Sequence, residues 1–416
     1  MSAAGYLASP WPGEDGGPDR LQEPRGAAGL ALEAGETLRR VARHTLLSTM
    51  TVLGAPGEVF LLTHSALRAR AGLPTTARVE RIEPQTLKTV RRSPRLRGGP
   101  MWPGGMAIHR NGDLYVVYGR YAHRLDRACE PLASRKLPLD EPYNSFVILD
   151  NGRIVTKNLS ATTRARLTVI DAHTLQAVGD DVDCPEPSIA RLSAAGNTVY
   201  VVGVRSIFRF QWDDGAGLVL DRDWRFDYVG GTEQTYGWDV VLDGRHAWFM
   251  DNGEHRYVYT MIGAGVSPSA NRLIRVSMDD ANDHQAVSIS GLRGGSITNP
   301  PLVDRRRRIV VAYDSANRVL RAWRFEPDER TLTPLWQKAP FGCASHMLLY
   351  PDTGELVVND YRRSGEEVVV LAIDTGAELG RVRSGGLFQG VVFPSPGWGR
   401  DLYWCSMGRL ARIFVQ

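Results

Sequence analysis

The chain has 416 residues, 43% of them hydrophobic and 23% charged, with a net charge of +4 from 50 basic and 46 acidic side chains. This is ordinary globular composition with room for a large core or several small ones. The basic excess is too small to argue for nucleic acid as a partner, and no stretch resembles a membrane span or a signal peptide.

The first 35 residues open "MSAAGYLASPWPGEDGGPDRLQEPRG", rich in Gly, Pro and charge and without an apolar run. They read as a disordered or draped tail, and the missing leader points to a cytoplasmic protein. Residues 36–416 read as one domain. Helical periodicity is nearly absent after residue 45, and short strand pairs recur instead. "STMTVLGAPGEVFLLTH" comes first, then "MAIHRNGDLYVVYG", "SFVILDNGRIVTKN", "IARLSAAGNTVYVVG", "WDVVLDGRHAWFMDN", "PPLVDRRRRIVVAYD", "SHMLLYPDTGELVVND" and "QGVVFPSPGWGRDLYWCS". Each turn carries Gly, Asn or Asp, which tolerate the positive φ of tight hairpins. Between these pairs fall outer hairpins near 78–93, 120–138, 166–180, 205–227, 271–290, 318–338 and 367–383.

A four-stranded unit cannot bury both of its faces alone. Radial stacking solves that, so the expectation is a single all-β propeller. Eight inner pairs predict eight blades, with seven as the alternative. The last unit ends at "GRLARIFVQ" one strand short. The segment from Glu36 to Leu47 is expected to supply that strand, closing the ring and removing an open edge.

"VLAIDTGAELGRV" and "LTVIDAHTLQAVG" resemble the repeat of quinoprotein-type propellers, in which an apolar strand runs into Asp-x-x-Thr-Gly and a final strand. The style is also similar to gluconolactonase/regucalcin-like propellers. The resemblance covers most of residues 46–416 and implies fold, not activity. Quinoprotein dehydrogenases would imply a quinone cofactor, a calcium ion and usually an adjacent pair of cysteines. The four cysteines here are far apart (Cys129, Cys184, Cys343, Cys405), so the reading is against a quinone cofactor. Gluconolactonase-like propellers would imply a divalent metal ion, which stays open. The ligands of such an ion are unassigned.

Propeller topology places the start of each first strand and the end of each second strand on one face. On that face the sequence gathers Tyr143, Asn144, Trp238, Asp239, Asn299, His346, Phe388 and Gln389. The stretch "FMDNGEHRYVYTMIGAGVSPSANRL" is longer than the corresponding loops and reads as a lid bearing Glu254, His255 and Tyr257. His346 is the acid/base candidate, since imidazole exchanges protons near neutral pH; Asp239 could orient it, bind a metal or act as a base. Tyr143, Asn144, Trp238, Glu254, His255, Tyr257, Asn299, Phe388 and Gln389 are the substrate-binding candidates. Cys343 ("FGCASH") is a weaker nucleophile candidate. The expectation is a small organic, possibly aromatic, ligand at the channel mouth and a lyase, isomerase or hydrolase. A protein-interaction scaffold is the alternative. "DRRRRIVV" (304–311) reads as a solvated hairpin tip.

Overall fold

The computed structural model describes residues 4–416 except 46, 66–67, 69–70, 100–103, 257–261, 327, 329, 387–388 and 390–391, and the side chain of Asn144. Val59–His64 (VFLLTH) and Ile309–Asp314 (IVVAYD) are buried along their whole length, whereas Pro131–Lys136 (PLASRK) is mostly exposed. Apolar strands covered on both faces lie inside, and strands with polar residues form the rim.

The order within each sheet follows the chain. Blade 1 contains Ser48–Leu53, Val59–His64, Thr75–Ile82 and Thr89–Arg92, with Leu96–Gly99 added against its third strand. Blade 2 runs from Gly105 to Lys136, blade 3 from Tyr143 to Ser188, blade 4 from Ser193 to Asp227 and blade 5 from Val241 to Ser288. Blades 6 and 7 run from Leu302 to Lys338 and from Leu348 to Arg383. Blade 8 takes Phe393–Pro396, Asp401–Ser406 and Arg409–Val415, and its outer strand is Leu38–His44. That strand pairs antiparallel with Arg409–Val415, from Leu38↔Val415 to His44↔Arg409. The fold is therefore an eight-bladed propeller closed by an N-terminal strand, and the seven-blade alternative is set aside. Apolar side chains form continuous clusters from blade to blade: Trp248, Trp323, Leu356 and Val369 belong to one spanning blades 5 to 7, and Leu61, Val370 and Trp404 to another spanning blades 7, 8 and 1.

Blade 3 departs from the expected hairpin. Its outer strand is Val182–Ser188, not residues up to 180. The Asp171 carboxylate accepts from the His173 and Thr174 N–H groups at 3.0 and 2.9 Å and tightens the turn. Ala177 then makes only an isolated bridge to Ile170 before the chain passes Gly179 at φ 70. The arginines of 305–308 are paired with carboxylates (Glu23, Asp352, Asp304 and Glu326).

At the N-terminus, where the sequence reads as a disordered or draped tail, the described residues lie across the ring on the face where first strands end. Leu7 donates to the Ile108 carbonyl at 3.0 Å, Leu53 to Trp11 at 2.8 Å, Ala194 to Pro18 at 2.7 Å, Leu242 to Asp19 at 2.9 Å and Leu349 to Gln22 at 2.9 Å. The Ile148 N–H donates to the Tyr6 hydroxyl at 3.0 Å, and Gln22 Nε2 donates to the Pro301 carbonyl at 2.8 Å. The innermost strand of every blade has one edge without a sheet partner. A Gly- and Pro-rich segment cannot fold on its own, but it can satisfy those N–H and C=O groups. No helix among the described residues is long and apolar enough to cross a membrane.

Candidate functional site

Inside the channel, the segment just described carries charge upward into the ring. Asp15, Arg20 and Gln22 have positive φ (53°, 55° and 59°). Such backbone persists in non-glycine residues only where the surroundings over-determine it. Here the determinant is a buried ion network. Arg20 lies 2.8 Å from Asp15 and 3.2 Å from Glu14, and donates to the Leu192 carbonyl at 2.9 Å. Arg191, just before the first strand of blade 4, lies 2.7 Å from Glu14 and 3.0 Å from Asp239. Asp239 also accepts from the Arg191 N–H at 2.6 Å. His346 Nδ1 stands 2.9 Å from Asp15, and Phe393 stacks on the imidazole at 4.1 Å.

Burial opposes the charge on both aspartates, and their cationic neighbours more than offset it. Asp239 is pushed up by burial but held down at about 2 by Arg191, Arg20 and His346. Asp15 is also held below the usual carboxylate range, against burial, chiefly by His346 and then Arg20. Both remain ionised at neutral pH.

Asp15, Asp239 and His346 are the one group of three metal-type ligands among the described residues, with ligand atoms within 4.8 Å of one another. Three carboxylates and two guanidiniums meet around His346, with the buried Lys157 amine interacting with Asp239 and Arg191.

Neither His346 nitrogen has a hydrogen-bond partner of good geometry, although the residue is 0% exposed and Nδ1 lies 2.9 Å from Asp15. Close by electrostatically, the buried Lys157 amine donates to the Ser188 carbonyl at 3.0 Å. Burial pushes its pKa down to about 7.

The expected lid is a short hairpin, His255–Arg256 paired with Ala264–Gly265, reaching across the opposite face. Ile262 donates its N–H to Gln389 Oε1 at 2.9 Å and packs on Ala344 and Tyr361. The Asp251 carboxylate anchors its base by accepting from the Arg272 N–H and Nε, both at 2.6 Å.

The structure thus brings His346, Asp239 and Gln389 to the channel or its mouth. Asn299 is fully buried there, donating to the Ala344 carbonyl at 3.1 Å, and its Oδ1 has no partner. Trp238 is a core residue whose Nε1 donates to the Gly253 carbonyl at 3.2 Å under the lid. Tyr143 is turned away from the mouth into the blade 2–3 core, where its hydroxyl accepts from the Leu139 N–H at 3.3 Å. Its bulk excludes a wall position for the same reason that it packs well. Glu254 is exposed and His255 is half-buried beside the Gly253 carbonyl at 3.0 Å. Tyr257, Phe388 and the Asn144 side chain lie outside the described residues. Cys343 is fully buried, and burial pushes its thiol up to about 12, which removes it as a nucleophile.

Sequence reasoning missed Glu14, Asp15, Arg20 and Arg191. The available signal was four charges placed between the apolar anchors Trp11 and Leu21 inside an apparently disordered segment.

No protein-family profile and no curated protein sequence matches this chain. Solved structures do. A quinohemoprotein alcohol dehydrogenase from Comamonas testosteroni is 10% identical with a TM-score of 0.65, covering 97% of this chain and 80% of that one. A quinohemoprotein alcohol dehydrogenase from Pseudomonas putida HK5 is 10% identical with a TM-score of 0.63, covering 98% and 80%. The dihydro-heme d1 dehydrogenase NirN is 14% identical with a TM-score of 0.58, covering 91% and 78%. At these identities the likeness establishes the fold alone, a β-propeller. It does not carry the neighbours' chemistry to this chain.

Proposed function

We propose that this protein is a small-molecule-binding propeller whose ligand sits at the channel mouth, between the His346 imidazole and the loop of residues 251–271. The observation that carries the reading is the unpartnered Nε2 of a fully buried histidine whose other nitrogen lies 2.9 Å from Asp15. A buried polar atom left unpaired costs free energy, so an organic molecule offering an oxygen there gains what the free protein lacks.

The arrangement supports proton-transfer chemistry of the lyase, isomerase or hydrolase kind. His346 moves a proton at Nε2, and Asp15 holds the ring and stabilises the imidazolium, the role first expected of Asp239. Asp239 acts one step further out by fixing Arg191. The neighbouring solved enzymes support an enzyme on this fold without specifying its reaction. The alternative scaffold reading has less support: the exposed large apolar residues, such as Leu73, Leu132, Val219, Leu292 and Leu379, are scattered over different blades.

The test is to denature purified protein, identify co-purifying small molecules by mass spectrometry and complete the search with a thermal-shift metabolite screen. The compound found is then titrated into wild type and His346→Gln. The variant should lose turnover more than affinity. Unchanged binding and turnover in that variant would place the site elsewhere.

A further inference from the structure

A second cavity lies away from the channel, at the seam where the ring closes. It measures about 420 Å³ and is lined by the last strand-forming residues of the N-terminal closing strand and by blade 1. Arg43 comes from Leu38–His44; His64 ends the second strand of blade 1; Arg78 and Glu80 lie on its third strand; Arg92 and Arg95 follow. Glu80 is the sole carboxylate among the described lining residues. It is already engaged by Arg43 at 2.8 Å, Arg92 at 3.2 Å and the Thr89 hydroxyl at 2.6 Å. The guanidiniums of Arg78 and Arg95 have no carboxylate or hydrogen-bond partner among the described residues. Five guanidiniums, those of Arg43, Arg68, Arg78, Arg92 and Arg95, therefore share one anion in a concave site.

His64 supplies an independent observation. It lines the same cavity, is 7% exposed, and its Nδ1 has no hydrogen-bond partner. Burial pushes its pKa down to about 4, so the imidazole is neutral at pH 7 and can exchange a hydrogen bond with a hydroxyl. Arg95 is exposed and Arg78 half-buried, so what sets this site apart from a solvated basic surface is the buried, unpartnered His64 Nδ1 at its inner end.

From this geometry we infer that the seam cavity binds a small phosphate ester, with the phosphoryl group held by Arg78 and Arg95 and a ligand hydroxyl at His64. Guanidinium forks match phosphate oxygens, and the volume falls within the range of small-molecule sites. Arg43 stands on blade 8 beside the cavity, and the groups assigned to the ligand lie on blade 1 or directly after its fourth strand. Binding to the folded state alone then raises the melting temperature.

The probes are ribose 5-phosphate, inorganic phosphate and ribose, followed by calorimetry and thermal shift at low salt. Ribose 5-phosphate should bind, raise the melting temperature and weaken as salt rises; ribose should not bind. The double variant Arg78→Gln/Arg95→Gln should lose at least about tenfold in affinity, equivalent to about 1.4 kcal/mol. His64→Phe should keep inorganic phosphate binding and lose the preference for the ester. No binding of either phosphate compound, or equal binding in the arginine double variant, overturns the inference. So does binding of inorganic phosphate as tight as that of the ester. None of these residues belongs to the channel cluster, so this site and the channel reading fail independently.

Discussion

Replacing Arg20 by Met tests whether the channel network holds the N-terminal segment in place. Methionine keeps most of the stem volume, so the cavity term stays small. What is lost is the guanidinium between Glu14 and Asp15, whose side chains are 7% and 2% exposed. Removing one partner of a buried ion pair costs about 3–5 kcal/mol, because the other charge stays buried and uncompensated. An unfolding entropy of about 2.1 cal/mol/K per residue amounts, for 416 residues, to about 0.9 kcal/mol/K. The melting temperature should therefore fall by about 3–6 °C, if the ring unfolds as one unit. Limited proteolysis provides the local readout: chymotrypsin should cut near Tyr6 and Trp11 in the variant and spare them in wild type. Adding Asp15→Asn should recover part of the loss, since it removes a charge that Arg20 no longer meets. A variant that melts within about 1 °C of wild type and keeps the segment protected would refute the reasoning.

Deleting residues 1–35 should lower the melting temperature, and deleting 1–47 should lower it further by removing the strand that closes blade 8; equal melting of full-length and the shorter deletion would contradict the plug. Burial holds the pKa values of His64 and His123 down at about 4, from 6.5. Both favour the neutral form in the folded state, so their contribution is full above pH 6.5 and is lost as pH falls toward 4. The loss is about 3 kcal/mol for each at pH 4, and His123→Gln should flatten the melting-temperature profile across that window. Asp239, held at about 2 against 3.8, adds stability that is present above pH 3.8 and disappears as pH falls through 2. The four buried cysteines should not react with a thiol reagent at pH 8 until the protein is unfolded, and fast labelling of Cys343 would reopen its role as a nucleophile. Gln389→Ala removes the acceptor for the Ile262 N–H and should speed proteolysis within 251–271 without a large change in melting; unchanged proteolysis would mean that this contact does not hold the loop.

The blades were legible in the sequence because each is a local object. A strand pair such as "GRIVTKN" after "SFVILDN" declares its turn with Asn-Gly and its burial with a β-branched run, and partners adjacent in sequence need no further information. The closing strand was legible from a deficit, one blade with three strands. His346 and Asp239 could be placed on one face because propeller topology fixes where first strands start. The rest depended on partners far apart in the chain. Asp15 meets His346, and Arg20 meets Ser145 and the Leu192 carbonyl, across more than a hundred residues of sequence. Alone, "WPGEDGGPDRLQ" has too little apolar surface to order itself, and its composition reads as a tail. In the ring, the unpaired inner-strand edges and the cationic channel supply what it lacks. Tyr143 shows the converse: its position at a strand start was readable, but the direction of its side chain followed from packing between blades 2 and 3. Sequence determined the repeating unit, since that rests on local hydrogen bonding and alternation. Only tertiary structure decided which segment fills the axis, because long-range charge pairing and desolvation leave no periodic mark on the chain.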